Sequence, residues 1–177
     1  MNQQQDIITD WYYKYSDSVQ SFIYIMIQDY QQSEDLTHDT FLKAYKNLEL
    51  FKGNSTEKTW LFSIAHNVTI DYIRKQKPIK IVLDVLSFRV QAPNTSPEFL
   101  FELREETYQL YQAINELKHS HKVVIIMRKI KGFSIKETSD ILGWSENKVK
   151  STFFRAIRAL EKKLKQRGVT HEEVFTK

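Results

Sequence analysis

Gly132-Phe133-Ser134-Ile135-Lys136-Glu137-Thr138-Ser139-Asp140-Ile141-Leu142-Gly143-Trp144-Ser145-Glu146-Asn147-Lys148-Val149-Lys150-Ser151-Thr152-Phe153-Phe154-Arg155-Ala156 is the stretch that decides the fold. Ser134 followed three residues later by Glu137 has the spacing of a capping box, in which two helix-end N–H groups find side-chain acceptors. It starts a short helix that ends at Leu142. Gly143-Trp144 makes the turn, and Ser145 caps a long helix over roughly 146–166. A short helix, a Gly-containing turn and a longer basic helix form a helix-turn-helix. The second helix of that arrangement enters the DNA major groove.

The faces of the long helix separate at about 100° per residue. Val149, Phe153, Ala156, Ile157, Leu160 and Leu164 fall on one side. Ser151, Arg155, Arg158 and Lys162 fall opposite, flanked by Asn147 and Lys148. Eight bases and one acid lie between Lys148 and Arg167. A solvated helix normally mixes Glu with Lys for i,i+4 support, so one-sided charge favours a polyanion partner. Arg can bind guanine at two points, and Lys and Ser can hold phosphates.

Upstream of this motif the expected helices are about 98–117 and 120–130, the latter ended by Lys131-Gly132. All three prolines (Pro78, Pro93, Pro97) fall in 78–97, with the loop signature Asn94-Thr95-Ser96-Pro97. That stretch is read as a flexible linker. Before it, Ile7 to Asp29 is aromatic-rich and reads as helix, with a break expected near Ser16-Asp17-Ser18. Ser33 is the expected N-cap of a helix to about Leu48. Asn54 with Glu57 resembles a capping box for a helix to Lys77. The expected fold is all-α: small helical domains at 1–77 and 98–177, joined by the linker 78–97.

The helix 56–77 also divides. Leu61, Ile64, Ala65, Val68 and Tyr72 share one face, and Ser63, Asn67, Ile70 and Arg74 another. Lys75 and Lys77 extend its basic end. The polar loop 52–58 lies just before it, interleaved with Phe51, Trp60 and Phe62. Such a mixture suits single-stranded or flipped bases, although Trp60 itself is read as core.

Composition excludes several classes. With 177 residues but Gly 4 and Pro 3, tight turns are few, which disfavours a β-sandwich or barrel. Cys 0 removes disulfides, Cys zinc sites and thiol nucleophiles. The longest apolar run, 22–27, is too short to span a bilayer, and no signal peptide is expected at the N-terminus. A cytoplasmic location is the expectation. His119-Ser120-His121 lacks further ligands at suitable spacing, and no paired-carboxylate or HExxH pattern occurs. Neither an enzyme, a metal site nor a cofactor is therefore expected. The net charge of +4 resolves into −5 over 1–50, +3 over 51–77, zero over 78–104 and +6 over 105–177. Two basic zones suggest two contacts with nucleic acid, and the acidic front must face another partner.

The whole order resembles the extracytoplasmic-function (ECF) sigma factors, the short two-domain members of the bacterial sigma-70 family. Glu34 to Tyr45 resembles the region 2 helix that docks on core RNA polymerase. Phe51 to Ser55 with Lys58 to Asn67 resembles the promoter-melting segment, and Asp71 to Lys75 the −10 recognition helix. Gly132 to Glu137 and Val149 to Ala156 resemble the region 4 helix-turn-helix. The resemblance implies that Glu34, Asp35, Asp39, Phe41 and Leu42 contact core polymerase. It implies −10 contacts from Lys52, Asn54, Ser55, Lys58, Ser63, Asn67, Arg74 and Lys75. It implies −35 contacts from Lys148, Lys150, Ser151, Thr152, Phe154, Arg155, Arg158 and Lys162. An anti-sigma factor is an implied further partner. Lys150 stands where an Arg is common, which would weaken any two-point base contact there. The rival is a two-domain regulator that binds an operator as a dimer. Such a regulator binds duplex DNA alone, whereas a sigma factor binds strongly only with core polymerase.

Overall fold

The computed structural model describes residues 3–86 and 105–169. The chain forms two compact units, 1–95 and 96–177. The first holds α1 (Gln3–Ile27), α2 (Tyr30–Lys46), a 3₁₀ turn (Leu48–Leu50) and α3 (Glu57–Leu86). The second holds α4 (Glu105–Asn115), α5 (His119–Ile125), a π-helical turn (Ile126–Ile130), α6 (Ile135–Leu142) and α7 (Glu146–Gln166). The all-α expectation holds.

α1 is one helix, not two. Asp17 is exposed and Ser16 and Ser18 are half-buried, while Trp11, Val19, Phe22, Ile23 and Met26 go inward. The polar triplet therefore lies on or beside the solvent face, and burial of the apolar positions on either side outweighs its weak helix propensity. The α1–α2 corner is made by Gln28, whose φ of 58° is left-handed, and its N–H donates to the Tyr24 carbonyl at 2.7 Å. The Asp29 carboxylate then accepts from the Gln32 N–H at 3.0 Å and caps α2. Ser33 is thus not the cap. It lies inside α2, fully buried, and its hydroxyl donates to the Tyr30 carbonyl at 2.6 Å. Asp29 lies four residues earlier and offers the stronger cap.

A non-glycine residue at the Gln28 corner carries strain that glycine avoids. Gln28→Gly is expected to raise stability by about 0.5–1 kcal/mol, partly offset in the unfolded chain. A urea melt checks this, and a loss of stability would show that the Gln28 side chain contributes more than its backbone costs.

The first core joins α1, α2 and α3. Phe22 and Phe62 are both fully buried, with rings 5.7 Å apart. Trp11, Phe51 and Trp60 form a second cluster, with centroids 5.3–6.0 Å apart. Trp60 is half-buried at the edge of this cluster, and the fully buried positions beside it are Leu61 and Phe62. Buried Thr37, Thr40 and Thr69 return their hydroxyls to carbonyls four residues back at 2.7–2.8 Å, which removes the cost of burying them. α3 is capped by Thr56, whose hydroxyl oxygen accepts from the Thr59 N–H at 3.1 Å, and not by Asn54, which is exposed. The helix passes Pro78 and continues to Leu86. Residues 79–86 contain no Gly, Ser or Asn to stop it, and the loop-forming residues gather only after Leu86. The remainder of the expected linker, and the expected start of α4 at 98, lie outside the described residues.

In the second unit, Val123 to Met127 form a buried run that meets Val149, Ala156, Leu160 and Leu164 of α7. The Glu116 carboxylate receives hydrogen bonds from Lys163, at 3.0 Å, and from Arg167, which also donates to Gln109 at 3.0 Å. Those two donors hold the Glu116 carboxyl below its ordinary pKa. The end of α4 is thereby tied to the end of α7.

Candidate nucleic-acid interface

The helix-turn-helix forms with the expected boundaries. The Ser134 hydroxyl oxygen accepts from the Glu137 N–H at 3.1 Å, and the Glu137 carboxylate accepts from the Ser134 N–H at 2.7 Å. Gly143 takes φ 64°, the left-handed conformation a helix end needs. Ser145 caps α7 by accepting from the Lys148 N–H at 3.2 Å.

α7 then presents its cations on one side. Lys148, Lys150, Ser151, Phe154, Arg155, Arg158 and Lys162 are exposed. Arg155 Nε donates to the Ser151 carbonyl at 3.2 Å, which limits the rotamers of its guanidinium. The Arg158 guanidinium lies 5.5 Å from the ring of Phe154, a side chain 64% exposed. Thr152 is the exception. It is buried, with Val149 three residues before it and Ala156 four after, so it cannot face DNA. The same helical wheel that separated the apolar side from the cationic one puts Thr152 within the apolar side. Beneath this surface His121 is buried, and its pKa is lowered by that burial and by the neighbouring charges of Lys118 and Arg155. Burial and these cations therefore favour its uncharged form beneath Arg155.

The first unit carries two further surfaces. On α3, Asn67, Arg74 and Lys75 are exposed and Ser63 is half-buried, its hydroxyl donating to the Trp60 carbonyl at 2.6 Å. Lys52 and Asn54 are exposed in the preceding loop, where Gly53 turns the chain at φ 71°. Ser55 and Lys58 are half-buried. The loop and the outward face of α3 thus belong to one unit.

On α2, Glu34, Asp35 and Asp39 are exposed and Leu42 is 57% exposed. Phe41 is only 5% exposed, its ring 5.0 Å from that of Tyr12, so it supports the surface from below and is not an exposed contact. Around it Ile8, Tyr12, His38, Leu42 and Tyr45 line a shallow groove of about 420 Å3. The sequence reading missed this groove because its α1 half lies thirty residues before the α2 half. Tyr12 stacks on His38 at 6.0 Å.

Two family models match the chain: sigma-70 region 2 over residues 11–79 and sigma-70 region 4 over residues 107–160. The ECF RNA polymerase sigma factor SigX of Bacillus subtilis (strain 168) is 35% identical over 155 residues, covering 85% of this chain and 80% of the relative. SigM of the same organism is 34% identical over 166 residues, covering 93% and 99%. The sigma factor RpoE, solved in complex with the anti-sigma factor NepR from Bartonella quintana, shares the fold at TM-score 0.73 and 24% identity. That match covers 89% of this chain and 96% of the solved one. Alignments that run through both units do not favour a dimeric operator-binding regulator. No helix among the described residues is long and apolar enough to cross a membrane. The chain belongs to the ECF sigma factors of the sigma-70 family and serves transcription initiation.

Proposed function

We propose that the two units divide promoter recognition, with residues 1–77 acting on core polymerase and the −10 element and residues 98–177 on the −35 element. The stretch 78–97 spans between them. The observation that carries this reading is the separation of charge: an exposed acidic face on α2 and an exposed cationic stripe on α7. Glu34, Asp35, Asp39 and Leu42 face a basic docking surface on core RNA polymerase, where complementary charge sets encounter rate and register. The loop residues Lys52, Asn54, Ser55 and Lys58 receive a flipped −10 base, and Asn67, Arg74 and Lys75 follow the melted strand. Ser63 borders that face. Lys148, Lys150, Ser151, Phe154, Arg155, Arg158 and Lys162 meet the −35 duplex. The protein acts in the cytoplasm, where polymerase and promoter are, and an anti-sigma factor holds it inactive. The solved RpoE–NepR complex supports that last partner.

Run-off transcription with Bacillus subtilis core polymerase on a promoter library tests the reading. Transcripts that appear only when the chain is added to core, from promoters sharing −35 and −10 elements, are the expected result. Tight, specific duplex binding by the chain alone would instead support the regulator. Asp39→Arg is expected to weaken core binding roughly ten-fold, as like charges face each other across the docking surface, with helix content unchanged. Competition for core polymerase against the wild-type chain measures it, and equal competition would remove Asp39 from the docking surface.

A further inference from the structure

We propose that Trp144 is a positioning residue for the −35 contact: its ring holds the Lys148 ammonium at the start of α7, where the ammonium meets a DNA phosphate. This rests on the reading that α7 lies on the −35 duplex. Lys148 is the third residue of α7, and its N–H is already committed to the Ser145 cap at 3.2 Å. A cation in the first turn sits at the positive end of the helix dipole, where it is disfavoured. An exposed lysine also samples many rotamers, all of which must be given up to hold one phosphate. Both penalties have a visible counterweight. The Lys148 Nζ lies 4.3 Å from the centroid of the Trp144 ring, well within cation–π range.

The ring is itself held. Trp144 is half-buried in the turn of the helix-turn-helix, next to Gly143 in its left-handed conformation. Its backbone N–H donates to the Ser139 carbonyl at 3.1 Å, and its carbonyl accepts from the Ser139 hydroxyl. The end of α6 therefore fixes the backbone from which the half-buried indole projects, and the indole lies against the cation. Lys150 and Ser151 are exposed in the turns that follow. The contact is to phosphate and not to a base edge, because lysine is a point charge and the helix start is an anion-favouring end.

The test uses holoenzyme assembled from the full chain and Bacillus subtilis core polymerase, on a duplex carrying a promoter recovered from the library. Binding is measured as a function of salt for Trp144→Leu, Trp144→Tyr, Lys148→Ala and the Trp144→Leu/Lys148→Ala double variant. Lys148→Ala is expected to lower the salt slope by about 1, the loss of one phosphate contact. Trp144→Leu, which keeps an apolar side chain without the π face, is expected to weaken binding about three-fold. Trp144→Tyr should restore most of that loss, and adding Trp144→Leu to Lys148→Ala should cost nothing further. An equal loss from Trp144→Leu with Lys148 present or removed would overturn the proposal, since that is the mark of packing alone. So would a Lys148→Ala variant with unchanged affinity and slope. If Trp144→Leu melts the second unit, Trp144→Phe takes its place in the same cycle, with a smaller loss that must likewise vanish without Lys148. Failure of the −35 reading itself shows separately, as an Arg155→Ala variant that transcribes like wild type.

Discussion

Phe62→Ala should remove about 3–5 kcal/mol from the first unit, the cost of truncating a fully buried aromatic. Phe62 is 0% exposed, on the inward face of α3 in its second turn, with the ring of Phe22 5.7 Å away. Leu61 and Ala65 beside it are also fully buried, so the void has no flexible neighbour at the surface to fill it. A unit of this size holds about 5–14 kcal/mol in total, and the loss takes a large share of it. Because the chain forms two units, its unfolding is expected to show more than one transition. Calorimetry should show one transition moving down by more than 10 °C, at about 4–8 °C per kcal/mol, while the other stays in place. A single unmoved pair of transitions would show that α3 does not depend on this ring.

The loss has a functional consequence. α3 carries Asn67, Arg74 and Lys75 on its outer face, and α2 carries the acidic docking face. Both outer faces are oriented by the same core. Loss of Phe62 should therefore reduce polymerase competition and promoter melting together, while the fold of the second unit, which carries α7, persists.

How far the sequence could be read depended on whether local and tertiary preferences agreed. They agree over 134–166. The capping box at Ser134, the left-handed Gly143 and the Ser145 cap each act within four residues, and the predicted α7 boundaries match those observed. They disagree over 16–33. Ser16-Asp17-Ser18 is a weak helix segment, and Ser33 is an attractive cap. Yet the apolar positions around the triplet are buried, which keeps α1 continuous, and Asp29 caps α2 before Ser33 can. The cap at Thr56 was missed for a smaller reason: the loop 51–56 offers Asn54, Ser55 and Thr56, and the backbone of α3 selects the last. Among the candidate contacts, charge was a good guide and residue type was not. Every exposed Lys, Arg, Asp and Glu expected on α2 and α7 is exposed, whereas Phe41 and Thr152 are buried. An aromatic or a threonine serves a core as readily as an interface. The Trp144–Lys148 pair was within reach of the i,i+4 rule, but it straddles the N-cap, where that rule is not normally applied.

Arg155→Ala is expected to lower promoter-dependent transcription about 5- to 150-fold, the equivalent of about 1–3 kcal/mol for loss of a guanidinium contact to a base edge. Arg155 is exposed in the N-terminal half of α7, the half of a recognition helix whose residues reach base edges in the major groove. Its Nε is held by the Ser151 carbonyl at 3.2 Å, so the guanidinium is partly preorganised before DNA arrives. The downward shift of the His121 pKa disfavours a second cation beneath it. No acid shares the exposed stripe from Lys148 to Arg158, so no carboxylate of that stripe competes with DNA for the guanidinium. Base contact and phosphate contact give different outcomes across a promoter library. If Arg155 reads a base, Arg155→Ala should reduce transcription most at promoters with the preferred −35 base pair and so relax selection at that position. Lys162→Ala, farther along α7, should weaken all promoters nearly equally and lower the salt slope by about 1. Run-off transcription over the library with each variant separates the two. An Arg155→Ala variant that loses affinity uniformly would make Arg155 a phosphate contact, and one that matches wild type on every promoter would take α7 off the −35 duplex.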